Sequence, residues 1–231
     1  MRPESLLIYY GWPSAINGGH EEDFDNYAHV VLGAGLEDET HPDHWPTKAI
    51  INHTIAACWG YIDAGVMSSD FTMRRIKRSM KRWKRMGVYG VMLDNFGMDW
   101  GVSKRRQDRA IDAAHALGLK VIANVWSPQT GLGSYTHLGV GDFLLAESFY
   151  IKNGDYDPDW KARAEWYRHF SRTYGMGVMS VTTDGKYSVY AKTGAMAGAF
   201  EAATLYGHAA FGWGEYNYSA HDCQAPYRER P

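Results

Sequence analysis

The chain has 231 residues, a formal net charge of −2, 45% hydrophobic and 22% charged residues, enough for one sizeable core and too evenly balanced to point to nucleic acid or a membrane. Nine Trp and sixteen Tyr exceed what such a core ordinarily needs, so aromatic faces are left for a sugar, base or peptide groove, a Tyr-rich core or a subunit interface. Two isolated cysteines, Cys58 and Cys223, supply neither a disulfide framework nor a zinc site.

The opening stretch "MRPESLLIYYGW" enters an apolar run almost at once and contains no signal-peptide core, and no later stretch reaches membrane-spanning length. The expectation is a soluble chain without an export signal of its own. An apolar, strand-like run then alternates with polar or helical sequence. The runs are "SLLIYYGW" (5–12), "YAHVVLGAGLE" (27–37), "ACWGYIDAGV" (57–66), "VYGVMLDNFG" (88–97), "KVIANVWSP" (120–128), "DFLLAESFYI" (142–151), "GVMSVTTDG" (177–185) and "HAAFGWGEYNY" (208–218).

Between them, 13–26 is too short and Gly-rich for a full helix. Residues 71–87, "FTMRRIKRSMKRWKRMG", place Met73, Ile76, Met80 and Trp83 at helical spacing. Ser103 caps "KRRQDRAIDAAHAL", where Ala110, Ile111, Ala114 and Leu117 form one stripe before Gly118. Asp157 and Pro158 read as cap and first turn of a helix bearing Trp160, Ala164, Tyr167 and Tyr174. From Ser188 to Tyr206, small residues including Ala191, Gly194 and Ala202 let a helix lie close to a sheet, and Gly207 ends it. Little chain follows the eighth run.

Eight near-continuous apolar strands alternating with helices predict a parallel α/β sheet closed into a (β/α)8 TIM barrel. One such domain spans 1–231, with trimmed first and last helices. A doubly wound open sheet is the alternative, but "YYGWPSAINGGH" lacks the G-x-G-x-x-G spacing of a phosphate turn.

In such a barrel the chemistry sits at the C-terminal strand ends. Those ends carry Tyr10 and Trp12, Glu37, Asp63, Asp94 with Asn95, Asn124 and Trp126, Glu147, Thr182 with Asp184, and Trp213 with Glu215. Asp184, next to Gly185, reads better as a turn residue. No lysine ends a strand, since Lys152 falls in the loop beyond Glu147, so a Schiff-base aldolase fits poorly. The absence of an H-x-H pair on the first strand disfavours a metal-dependent amidohydrolase. His41, His44 and His53 lie in a loop and a helix and read as surface or capping residues, and no metal or cofactor is expected.

Asp94 and Glu147 stand out. Strands four and six of an eight-stranded barrel lie one strand apart, which brings inward-leaning carboxylates to about 5–9 Å, the range that flanks one glycosidic bond. One group must be protonated to release the leaving oxygen and the other ionised. Tyr10, Trp12, Trp126 and Trp213 offer flat faces to pyranose rings or to the core, and Asp63, Asn124 and Glu215 offer hydroxyl partners. Glu215 is the alternative to Glu147 as second acid.

The segment "GVYGVMLDNFG" (87–97) is similar to the strand-four signature of the endo-α-1,4-polygalactosaminidase family of glycoside hydrolases. "GYIDAGV" (60–66) and "KVIANVWSP" resemble that family's third- and fifth-strand motifs, so the resemblance covers roughly residues 5 to 150. It implies a TIM-barrel glycosidase in which Asp94 is the strand-four acid, the nucleophile or charge stabiliser. By the same resemblance Glu147 is the proton donor and later base, and Asn124 the strand-five amide. Tyr89 stands where the family has Asp and Met92 where it has Phe, departures that bear on the substrate more than on the fold.

The expected function is hydrolysis of an extracellular or cell-wall polysaccharide, in line with the resemblance one containing amino sugars. The alternative is a non-catalytic carbohydrate-binding or structural barrel carried by a larger assembly such as a virion, and a lyase acting on similar glycans is a third class. Eight Lys or Arg and no acid lie between positions 74 and 85. This basic helix (71–86) is a solvated face or a dock for an acidic protein or polyanion, on the outer wall and away from the active site.

Overall fold

The computed structural model describes residues 2–13, 24–67, 72–183 and 195–214. In chain order the strands are β1 (Glu4–Tyr9), β2 (His29–Leu32), β3 (Ala57–Asp63), β4 (Gly90–Asp94), β5 (Lys120–Asn124) and β6 (Phe143–Ala146). A short hairpin, β7 (Ile151–Lys152) and β8 (Asp155–Tyr156), stands apart. It is followed by β9 (Gly177–Thr183) and β10 (Ala210–Gly214). All but the hairpin are parallel and close into an eight-stranded barrel, with β10 paired to β1. Each barrel strand falls within one of the eight apolar runs, except that β1 starts one residue earlier, at Glu4.

Strand alternation divides the apolar residues into two layers. Leu6, Ile8, Val31, Trp59, Met92, Ile122, Leu145 and Met179 fill the barrel interior. Their neighbours Leu7, Val30, Val91, Val121, Leu144 and Val178 face outward into a second core shared with the helices. Trp59 is fully buried in the interior. It fits because position 90 is glycine: a Cβ there would sit 2.3 Å from the Trp59 ring.

Helix α1 covers His44–His53, α2 Met73–Met86, α3 Lys104–His115, α4 Pro128–Gly131, α5 Trp160–Tyr174 and α6 Ala195–Tyr206. In α2, Thr72 caps the start by accepting from the Arg75 amide at 3.3 Å, and Gly87 ends the helix with φ 100°. Its buried face is Ile76, Met80, Trp83 and Met86. Trp83 lies flat against Gly60, where a Cβ would come within 2.2 Å of the indole, and truncating such a buried Trp costs about 3–5 kcal/mol. In α3, Ser103 is the cap and the buried stripe is Ala110, Ile111 and Ala114, joined by Gln107. The Gln107 amide donates to the Phe96 carbonyl at 2.8 Å and the Gly131 carbonyl at 2.7 Å, tying together the loops that follow β4 and β5.

Two local expectations are corrected. The helix after Pro158 starts at Trp160, with Asp159 at its N-cap. Asp157 instead makes a turn, accepting from the Asp159 amide at 3.0 Å while its other oxygen pairs with Arg163. The sixth apolar run does not continue to 151. It leaves the barrel after Ala146 because Ser148 and Tyr150 adopt left-handed backbone, with φ 53° and 68°. The segments 14–23, 184–194 and everything after Gly214 lie outside the described residues, and with them Asp184, Ser188, Ala191, Gly194, Glu215 and Cys223.

Candidate active site

Parity carries the site. Met92, Ile122 and Leu145 point into the barrel interior, so Asp94, Asn124 and Glu147, each two residues further on, leave the same face above the apolar plug. Nδ2 of Asn124 donates to Asp94 Oδ1 at 2.7 Å and to Glu147 Oε2 at 2.8 Å. These two carboxylate oxygens therefore lie no farther apart than those lengths together, about 5.5 Å. The Tyr61 hydroxyl donates to the other Asp94 oxygen at 2.7 Å, and Tyr10 packs edge-on against Tyr61 with centroids 5.0 Å apart.

The backbone is unusual after each acid. Asn95 and Ser148 both have positive φ, 51° and 53°, a conformation that costs non-glycine residues about 1–3 kcal/mol unless its surroundings enforce it. Asn95 is held by its amide, which donates to Asp63 Oδ1 at 3.2 Å. Ser148 shares a 2.8 Å hydrogen bond with Thr183. Arg163 of α5 donates to the carbonyls of Glu147 at 3.1 Å and Ser148 at 2.9 Å while paired with Asp157. The arginine thus fixes the backbone from which Glu147 projects.

Burial raises the pKa of Glu147, and the nearby Asp94 charge adds to it, while the Asn124 hydrogen bond and Arg163 act the other way. Glu147 is therefore the carboxyl group suited to hold a proton. Burial and the Asp94 charge also push the Tyr61 hydroxyl up, which keeps it a donor. The arrangement can give a proton from one acid and act as nucleophile or base with the other.

Of the residues expected from sequence, Asp94, Asn124 and Glu147 meet, and Tyr10 reaches them through Tyr61. Asp63 shapes the loop after β3, accepting also from the Gly65 amide at 2.9 Å. Trp126 is partly exposed, with Lys152 Nζ 4.5 Å and Arg163 Cζ 4.4 Å from its ring centroid. Trp12 is exposed on the β1 loop, its carbonyl bonded to the Tyr9 hydroxyl and its ring edge-on to His41 at 5.7 Å. Trp213 is corrected: it alternates with the inward-facing positions of β10 and packs against the helix-facing core. Tyr61 and Arg163 were missed. Tyr61 shares the inward parity of Trp59, a signal present in the sequence, whereas nothing local distinguishes Arg163 from a surface cation.

On the basic helix, Arg75, Arg78 and Arg82 of α2 line a cavity of about 330 Å³ whose wall also includes Asp63 and Tyr61, the residue bonded to Asp94. His44 is buried with Nδ1 2.9 Å from the Leu36 carbonyl oxygen. Among the described residues no group of three His, Cys, Asp or Glu is placed to hold a metal ion, and no helix is long and apolar enough to cross a membrane.

No family model and no curated protein matches the chain. Solved structures do. The glycoside hydrolase domain of PelA from Pseudomonas aeruginosa aligns with a TM-score of 0.62 over 96% of this chain and 97% of that one, at 14% identity. The shared property is the fold. Malate synthase from Haloferax volcanii gives a TM-score of 0.59 over 99% and 74% of the two chains at 9% identity. The carboxyl transferase domain of Rhizobium etli pyruvate carboxylase gives 0.58 over 92% and 40% at 10% identity. TIM barrels with different chemistries are thus about equally similar, and function has to be argued from the side chains.

Proposed function

We propose that the protein is a glycoside hydrolase acting on a polysaccharide, with Glu147 as proton donor and Asp94 as nucleophile. The observation that carries this reading is the single Asn124 amide bonded to both carboxylates at the barrel mouth. The two bonded oxygens, at most about 5.5 Å apart, keep the acids close enough for Asp94 to attack directly, the arrangement of retaining enzymes. Protonated Glu147 gives its proton to the glycosidic oxygen as Asp94 attacks the anomeric carbon. A glycosyl ester forms on Asp94 and the leaving sugar departs. Glu147, now ionised, takes a proton from water, which attacks the same carbon and frees Asp94. Tyr61 and Asn124 orient the nucleophile throughout. The likeness to the PelA glycoside hydrolase domain supports the reading, and the amino-sugar expectation rests on motif resemblance alone.

Incubation with a panel of polysaccharides should release reducing ends, and Asp94→Asn and Glu147→Gln should each abolish release. Proton NMR of the first product should show the anomer of the substrate. A wild-type protein that is retained on a glycan affinity gel but releases no reducing ends from any of the panel would instead make the barrel a binding module.

A further inference from the structure

Given a glycan at this mouth, we infer that it is a polyanion, and that Arg78 and Lys152 recognise its carboxylates on the two sides of the acid pair. On one side is the α2 cavity, which begins at Tyr61, the residue bonded to Asp94, and at Asp63. Its other polar groups are mostly committed. Arg82 pairs with Asp38 at 2.5 Å, and Ser79 donates to Glu37 Oε1 at 2.6 Å. Arg78 lines the same space and makes no ion pair with any described residue. Glu37 Oε2 is buried without a partner, an acceptor suited to a sugar hydroxyl.

The other side has the same character. The β7–β8 hairpin lifts Lys152 over Trp126, beyond Glu147. Arg163 over the same ring is neutralised by Asp157. Lys152 has no ion-pair partner among the described residues: Asp155 faces it across the hairpin register but forms no ion pair with it. A barrel mouth built on two acids thus keeps, among the described residues, a cation without an ion-pair partner on each flank. A polymer of amino sugars would bring like charge to both positions. A uronate polymer would bring a carboxylate to each, and Arg78 offers it a fork of donors.

Binding is measured on Glu147→Gln, which cannot turn over, using polygalacturonate, a neutral β-glucan and chitosan. Polygalacturonate should bind at least tenfold more tightly than the other two, with affinity falling steeply as salt rises. Arg78→Gln and Lys152→Gln should each weaken it about tenfold without shifting thermal unfolding, and Lys152→Arg should retain it. Equal affinity for the β-glucan, or indifference to both substitutions, would overturn the inference, as would equally tight, equally substitution-sensitive binding of duplex DNA. A wild-type protein that binds polygalacturonate but releases no reducing ends from it or from any other polysaccharide of the panel would sink the hydrolase reading and leave this one standing. One that cleaves the β-glucan while ignoring polygalacturonate would do the opposite.

Discussion

Asn124→Ala isolates the group that joins the two acids. The substitution removes two hydrogen bonds to carboxylates, of 2.7 and 2.8 Å. Each is worth about 1.5–3 kcal/mol in total, but only the share that differs between ground and transition state enters the rate. A net loss of roughly 1.4–2.8 kcal/mol predicts a 10- to 100-fold fall in kcat. The pH profile is more diagnostic than the rate. The amide stabilises ionised Glu147, opposing burial and the Asp94 charge. Without it the carboxyl group keeps its proton to higher pH, so the alkaline limb of activity must move upward. Reducing-end release across pH, with circular dichroism to confirm folding, reads both effects. An active variant with wild-type kcat and an unmoved limb would refute the assignment of Asn124 and the proton-donor role of Glu147 together.

Glu147→Gln should be inactive and yet melt higher at neutral pH. A carboxyl group whose folded pKa is raised contributes stability below its ordinary value of 4.5 and loses it as pH rises through the folded value, so the gain should vanish in acid. Each kcal/mol gained would appear as roughly 2–4 °C in a chain of this size. His208 has the opposite sign: burial lowers its pKa from 6.5 to about 3, so its contribution is present above pH 6.5 and is lost as pH falls toward 3. His208→Gln should flatten that acid limb in a melting series. Gly60→Ala should cost about 1–3 kcal/mol in urea unfolding, because its Cβ would meet the Trp83 indole at 2.2 Å.

The barrel was legible because parallel strands covered on both faces must be apolar along their length, and eight such runs recur between helical patterns. Asp94 and Glu147 were legible for the related reason that a carboxylate ending an apolar run needs a use. The Asn124 bridge was not, because strand spacing places acids near one another without saying which amide lies between them. Trp213 was misjudged: alternation decides which way a strand-end side chain points, and "AFGWG" gives glycine at both inward positions beside it. The α2 arginines were assigned to the outer wall from helical spacing. That spacing identified the buried face but not that Arg75, Arg78 and Arg82 line a cavity with Tyr61 and Asp63. The hairpin after Glu147 depends on left-handed Ser148 and Tyr150, residue types that give no notice of that geometry.

The two glycine–tryptophan contacts have an evolutionary corollary. Gly60 and Trp83 occupy one shared volume, as do Gly90 and Trp59, so neither member of a pair can drift alone. Natural variants of this chain should show correlated exchange at the first pair, position 83 shrinking wherever position 60 acquires a side chain, whereas position 90, whose Cβ would also meet the Lys120 carbonyl at 2.4 Å, should stay glycine.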